Sequence, residues 1–315
     1  MHIPYWLRIS GASLLVILFG LIIASTAPSD FPSGKIVQIG NGYSLSRTAT
    51  TLKEAGLVRS KLLFRAYVAF FGGKNGVKAG TYLFAASESA VSVAHRVARG
   101  YGGFPIVKVT IPEGSETRDI AAIISQRISN FDTEAFLMLA KPKEGFLFPD
   151  TYFWPANLTP EQAVADMSAI FDRKIATIQA DIDDSDRTLR DIIIMASIVE
   201  KEASSSADRK VIAGILWKRL SVGMALQADA TFFYALSTST KVLTLDDLKM
   251  KSPYNSYQNR GLPPTPIGSP GLATIIDTLH PKETASWYYL SDKDGVTHYA
   301  TTLEGHNVNR VKYLQ

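Results

Sequence analysis

The 315-residue chain contains no cysteine. That absence excludes thiol nucleophiles, cysteine-ligated zinc and disulfide staples together. Histidine is scarce: there are five, and none has an HExxH-like spacing, so no metal site and no cofactor is expected. Excess charge is missing too. The 33 Lys and Arg stand against 29 Asp and Glu, a net of only +4, with no clustered basic run. That argues against a nucleic-acid partner. There is no internal repeat of constant period and no low-complexity tract. What remains is an ordinary globular mixture, 46 % apolar and 20 % charged. The length suits roughly one to three domains with a buried core.

One long uncharged stretch stands out. From Ile9 to Ser29 the chain reads ISGASLLVILFGLIIASTAPS, without a single charge. A helix needs about 20 such residues to cross a bilayer. Arg8 precedes it and Asp30 follows, so the positive-inside rule keeps 1–8 as a cytoplasmic tail and sends the rest across. The competing reading is a cleaved signal peptide. Pro28 directly after Ser25-Thr26-Ala27, and the length of the stretch, favour a retained anchor over 9–29.

The rest is read as α+β. PSDFPSGK (28–35) is a linker. KIVQIG, two helical stretches (Leu45–Ala55 and Lys61–Phe71) and KAGTYLF then follow in strand–helix–helix–strand order, a small βααβ module within 30–104. From 105 to 315 the pattern is a larger mixed α+β domain. PIVKVTI (105–111) alternates as a strand should, and helices are predicted over Thr117–Arg127, Thr133–Leu139, Pro160–Ile182, Leu189–Ala203 and Val211–Leu220. EGFLFPDTYFWP (144–155) is dense in aromatics. YNSYQNRGLPPTPIGSPG (254–271) carries four prolines and can be neither helix nor central strand. Near the end, KDG marks a hairpin.

The stretch MASIVEKEA (195–203) places two acids at the end of an apolar run. On a helix, Ile192, Ile193, Ile194, Met195, Ile198 and Val199 cover nearly the whole circumference, so the helix is buried on most sides. Glu202 lies under Ile198 and Met195; Glu200 lies under Ile193 and Ala196, nearly opposite. The two cannot face one cleft. A carboxyl against apolar walls is pushed toward its protonated form, as a general acid requires. The bland alternative is that both glutamates cap the helix end or pair with Lys201, Arg209 and Lys210. The wheel does not choose between them.

Several stretches together resemble the YceG-like endolytic murein transglycosylases, the MltG family. They are KAGTYLF (78–84), IPEG (111–114), EGFLFPDTY (144–152), MASIVEKEA (195–203), the run 208–236, SPYNSYQNRGLPPTPIGSPG (252–271) and HYATTLEGHN (298–307). The resemblance implies a single-pass inner-membrane protein with a small LysM-like membrane-proximal module. Its catalytic YceG-like domain, 105–315, would face the periplasm or outer surface. The implied reaction cuts peptidoglycan strands between N-acetylmuramic acid and N-acetylglucosamine, leaving a 1,6-anhydro end and helping terminate strand growth. It also implies that the second glutamate of the EKE motif, here Glu202, is catalytic. Synthases of the wall-elongation machinery are the implied protein partners. Two departures from the family pattern stand out: Ala228 and Ala230 occupy positions where a hydroxyl residue and a proline are common, and Thr265 stands where glycine is common.

Such a lyase needs one proton donor and no water, because the muramic acid C6 hydroxyl closes onto the anomeric carbon. Gln227, Asp229, Asn255 and Tyr257 are the candidate sugar contacts; amides suit N-acetyl and hydroxyl groups, and aromatic faces suit sugar rings. Each has a structural alternative. Asn255 and Gln258 can close the loop's own backbone hydrogen bonds, and Asp229 can cap a helix. Tyr254, Tyr257 and Phe148 can be core, while His298 and His306 read as structural. A hydrolytic muramidase and a catalytically silent peptidoglycan-binding scaffold are the competing functions.

Overall fold

The computed structural model describes residues 19–72, 76–236 and 247–314, and its contacts divide the chain into two units between Pro105 and Ile106. The first ten residues of the expected anchor, 9–18, lie outside the described residues. Among those described, 19–25 are helical, and no helix is long and apolar enough to cross a membrane.

In the first unit, β1 (Lys35–Ile39) pairs antiparallel with β2 (Gly80–Phe84), Lys35 opposite Phe84 and Ile39 opposite Gly80. Between them run α1 (Leu45–Glu54) and α2 (Lys61–Gly72), and α3 (Ala90–Arg99) follows. Strand alternation sends Val37, Ile39, Tyr82 and Phe84 inward, against Leu52, Phe64, Val68, Val93 and Val97 of the helices. Ser44 and Ser89 cap α1 and α3, each accepting a backbone N–H three residues on. Gly100 ends α3 in the left-handed conformation at φ 82°.

The second unit opens with β3 (Ile106–Thr110), which pairs antiparallel with β4 (Thr151–Pro155), Thr110 opposite Thr151. Helices α4 (Thr117–Arg127), α5 (Thr133–Ala140) and α6 (Pro160–Ala176) pack on this ribbon around Ile120, Ile124, Phe136, Leu147, Trp154 and Met167. Glu144 is buried here for a structural reason. Its carboxylate accepts the Thr117 backbone N–H at 3.1 Å and the Thr117 hydroxyl at 2.8 Å, anchoring the positive end of α4. The long helix expected over Pro160–Ile182 is broken. It stops at Ala176, and α7 (Gln179–Asp183) is a separate turn. The Thr177 hydroxyl donates to the Lys174 carbonyl at 2.6 Å, competing with the helical ladder.

α8 (Leu189–Glu202) is the central element, with Ile192 to Val199 buried without interruption. α9 (Ser206–Ser221), which begins five residues before the sequence pattern placed it, packs on one side, and α11 (Leu272–Leu279) on another. The proline-rich loop seals α8. The buried Ser197 hydroxyl donates to the Ile194 carbonyl and accepts the Ile267 N–H at 3.0 Å. α10 (Asp229–Leu236) is the helix implied by the capping alternative for Asp229, which is its first residue, while α11 and α12 (Leu303–Tyr313) were not anticipated; α10 and α11 are rich in Thr, Ile or Phe, poor helix formers that packing holds in place. The expected hairpin is β5 (Tyr288–Ser291) against β6 (Thr297–Ala300), with Leu290 opposite His298. His298 bonds Asp292 at 2.7 Å and stacks on Tyr313, and His306 stacks on Tyr288, a structural use of both histidines.

Gly214, in the middle of α9, allows a close approach. A Cβ there would sit 2.2 Å from the Lys282 carbonyl oxygen. On helix propensity alone, Gly214→Ala should stabilise by about 1 kcal/mol. The clash is with backbone and cannot be turned aside, so the substitution is expected to destabilise by roughly 1–3 kcal/mol instead. Denaturant unfolding of the two proteins measures the sign.

Candidate active site

The two glutamates of α8 have separate surroundings. Glu200 accepts the backbone N–H of Gly271 at 2.9 Å, at the residue that caps α11. It also stands beside the Glu113 side chain, whose carboxyl is raised by its own burial and then by the Glu200 charge. Lys201 reaches the buried Glu116 at 3.3 Å. This side of the helix end is occupied by the 112–116 turn and the start of α11.

Glu202 closes α8, because Ala203 leaves the helix in an extended conformation and Ser205 caps α9. Four groups from three other elements converge on its carboxyl. The Tyr289 hydroxyl comes from β5, the Ala230 N–H from the first turn of α10, the Arg219 guanidinium from α9, and the Asp229 carboxylate from the residue that opens α10. Protein atoms surround the group densely, yet the residue keeps part of its surface open. Burial pushes the Glu202 carboxyl up to about 7, and the negative Asp229 beside it adds to the rise; the Tyr289 hydroxyl, the Ala230 N–H and Arg219 oppose it. The negative end of the α8 dipole also disfavours an anion there. A group so placed can hold a proton at neutral pH and take it back once it has been released.

Arg219 ties together two of the segments around Glu202. It is 4 % exposed, and its Nε donates to the Trp287 carbonyl at 2.8 Å and its Nη1 to the Leu226 carbonyl at 2.6 Å. These two carbonyls lie just before Tyr289 and just before Gln227, so one side chain fixes both segments. Ser256, also buried, ties the second segment to the proline-rich loop. Its hydroxyl accepts the Ala228 N–H at 3.0 Å and its carbonyl accepts the Gln227 N–H at 3.1 Å.

The four expected sugar contacts are thereby brought together, but not in equivalent roles. Asp229 is exposed and accepts a hydrogen bond from the Tyr257 hydroxyl. Burial first, and the Asp229 carboxylate next, raise the Tyr257 phenol far above its ordinary range, so it stays a donor. Gln227 is exposed and holds φ at +53°, a left-handed conformation that costs a non-glycine residue about 1–2 kcal/mol. Strain of this kind collects at functional sites. Asn255 departs from the expectation. It is fully buried; its amide donates to the Leu248 and Met250 carbonyls at 3.0 and 2.9 Å, and its oxygen accepts the Tyr257 N–H at 3.1 Å. Buried, with both amide hydrogens and its oxygen engaged within the loop, this side chain serves the loop's own closure. Gln258 likewise donates to the Leu248 carbonyl.

Sequence reasoning missed Tyr289, Arg219 and Ser256. Arg219 left a signal, because it lies on the Ile212–Ile215–Leu216 line of α9, a charge on an apolar stripe. Tyr289 left none, since it joins Glu202 only through the fold.

The pattern of the YceG-like family matches residues 37–312. A curated relative from Bacillus subtilis, named endolytic murein transglycosylase, is 29 % identical over 94 % of this chain and 89 % of its own length. A relative of the same name from Streptococcus pneumoniae is 29 % identical over 93 % of this chain but 61 % of its own length. A crystal structure of a YceG-like protein from Listeria monocytogenes superposes with a TM-score of 0.60 at 28 % identity, covering 88 % of this chain and 99 % of that one.

Proposed function

Because the chain belongs to the YceG-like family, we propose that it is a lytic transglycosylase that cuts peptidoglycan strands internally, between N-acetylmuramic acid and N-acetylglucosamine, with Glu202 as its single acid and base. The observation that carries this reading is the convergence of Tyr289, the Ala230 N–H, Arg219 and Asp229 on one carboxyl held near neutrality.

Glu202 donates its proton to the glycosidic oxygen as the bond to the muramic acid C1 breaks, and positive charge develops at C1 and the ring oxygen. The muramic acid C6 hydroxyl attacks C1, and the ionised Glu202 takes the hydroxyl proton. One C–O bond is broken and one formed, no water enters, and the acid is restored. An intramolecular nucleophile already beside the carbon contributes on the order of 7–11 kcal/mol in well-oriented cases. Asp229, fixed by Tyr257, supplies negative charge beside the developing cation. The exposed Gln227 amide is the contact for N-acetyl or hydroxyl groups. A retained anchor over 9–29 would hold the enzyme at the outer face of the cytoplasmic membrane, where nascent strands and the elongation synthases are its partners.

Asp229 also gives the hydrolytic reading a foothold, because glycoside hydrolases use two carboxylates. Mass spectrometry of digested strands separates the two. Lytic cleavage gives 1,6-anhydro ends that carry no label from ¹⁸O-water, whereas labelled reducing ends would overturn the proposal.

Asp229→Asn should shift the pH dependence in a defined direction. Asparagine still accepts from Tyr257, but the negative charge that helps raise Glu202 is gone. The Glu202 carboxyl then ionises at lower pH, so the alkaline limb of the pH–rate profile moves toward acid. An unmoved limb in a pH series of strand cleavage would remove Asp229 from the electrostatics of the acid.

A further inference from the structure

The basic residues that read as unclustered along the chain are unevenly divided. Residues 30–105 hold ten Lys or Arg against three Asp or Glu, while 106–315 hold 22 against 26. The net of +4 conceals a basic first unit and an acidic second one. Within the first unit, α2 (KLLFRAYVAFFG) is apolar almost all round, a composition suited to burial on every side. Among the described residues, the first unit's core covers one side of it, through Phe64 and Val68 with Tyr67 and Phe71. The outer side presents Leu62, 74 % exposed, and Phe70, 82 % exposed, with the exposed Ala66 and Ala69 between them. Lys61 and Arg65 flank it.

A flank of the same helix adjoins the end of the uncharged stretch. The Ser25 and Tyr67 hydroxyls share a hydrogen bond at 2.6 Å, and Arg59, two residues before α2, donates to the Ala27 carbonyl at 2.9 Å. Phe19, Leu21, Ile22 and Ile23 are themselves exposed. The uncharged stretch thus ends against the helix that carries the apolar face and its basic flank.

We propose that the outer face of α2 rests on an anionic lipid surface, with Leu62 and Phe70 entering the headgroup–acyl boundary and Lys61, Arg65 and Arg59 meeting the phosphates. A helix with an apolar face and basic edges lies in a membrane interface in this way, and the stems of Lys and Arg let their charges rise to the headgroups. Basic residues near an anionic surface each add attraction. The inference rests on the reading of 9–29 as a retained anchor, which brings α2 to the bilayer. It makes the first unit a foot docked beside the anchor rather than a module on a free tether.

The absence of cysteine gives a clean test. Single-cysteine variants of the full chain, Phe70→Cys and Ile22→Cys, are labelled with a fluorophore. They are reconstituted in vesicles containing phosphatidylglycerol and a lipid that carries a shallow nitroxide quencher. Quenching at Phe70 comparable with that at Ile22, falling several-fold when phosphatidylcholine replaces phosphatidylglycerol, is expected. Quenching at Ile22 alone overturns the docking while leaving the anchor intact. Quenching at neither site overturns the anchor and the docking with it. A Phe70 label shielded from aqueous iodide but untouched by the lipid quencher overturns the proposal in favour of a protein partner, a second copy included.

Discussion

Glu202→Gln is expected to reduce glycan cleavage by about 10²–10⁴-fold, the usual contribution of a positioned acid–base group. Glutamine keeps the shape and a carbonyl oxygen that can accept from Tyr289 and Ala230, but it has no proton to lend. Glu200→Gln is the matched control. Glu200 accepts the Gly271 N–H at a helix start, a role glutamine can fill, so activity should persist. The reverse pattern in a strand-digestion assay would transfer the chemistry to Glu200.

The same substitution should make the protein more stable at high pH. Glu202 titrates near 4.5 when unfolded and near 7 when folded, so between these values the folded state binds more protons than the unfolded one. Stability therefore falls as pH rises through that window. Above pH 7 the ionised group costs on the order of 3 kcal/mol, since each tenfold change in a proton-binding equilibrium is worth about 1.4 kcal/mol. Glu202→Gln should recover much of that above neutrality and almost none of it near pH 4. Denaturant unfolding at the two pH values measures it. An acid kept destabilised for its chemistry leaves this signature; equal stability at both pH values would mean the carboxyl is not held near neutrality.

Arg219→Met should have the second large effect, a loss of about 3–5 kcal/mol in unfolding free energy, typical of removing one partner from a buried charged network. Two buried carbonyls, those of Leu226 and Trp287, would lose their donors, and the segments bearing Asp229 and Tyr289 would lose their common tie. Lysine should rescue poorly, since a single ammonium cannot reproduce the fork. A separate readout concerns the site. Arg219 lowers the Glu202 carboxyl, so its removal should move the alkaline limb of any remaining activity to higher pH, opposite to Asp229→Asn. A variant that is merely less stable would leave the limb in place.

Much of the organisation was legible in local pattern. Alternation placed β3, and helical spacing placed α4 and the heavily buried α8, because period and burial are written residue by residue. The opposition of Glu200 and Glu202 followed from 100° per residue alone. The break at Thr177 and the helix α11 were not legible, because a hydroxyl competing for one carbonyl, and packing that overrides weak propensity, leave no periodic trace.

By itself, then, the sequence determined that two acids end a buried helix and face apart, and that thiol and disulfide chemistry are excluded. Only the tertiary structure decided which partners each acid meets. Glu200 meets the start of α11, and Glu202 meets Tyr289, Ala230, Arg219 and Asp229, while Asn255 is turned inward to its own loop. The physical reason is distance along the chain. The groups that raise and restrain the Glu202 proton come from segments up to 87 residues away, at Tyr289, and electrostatics acts through space, where local spacing carries no information.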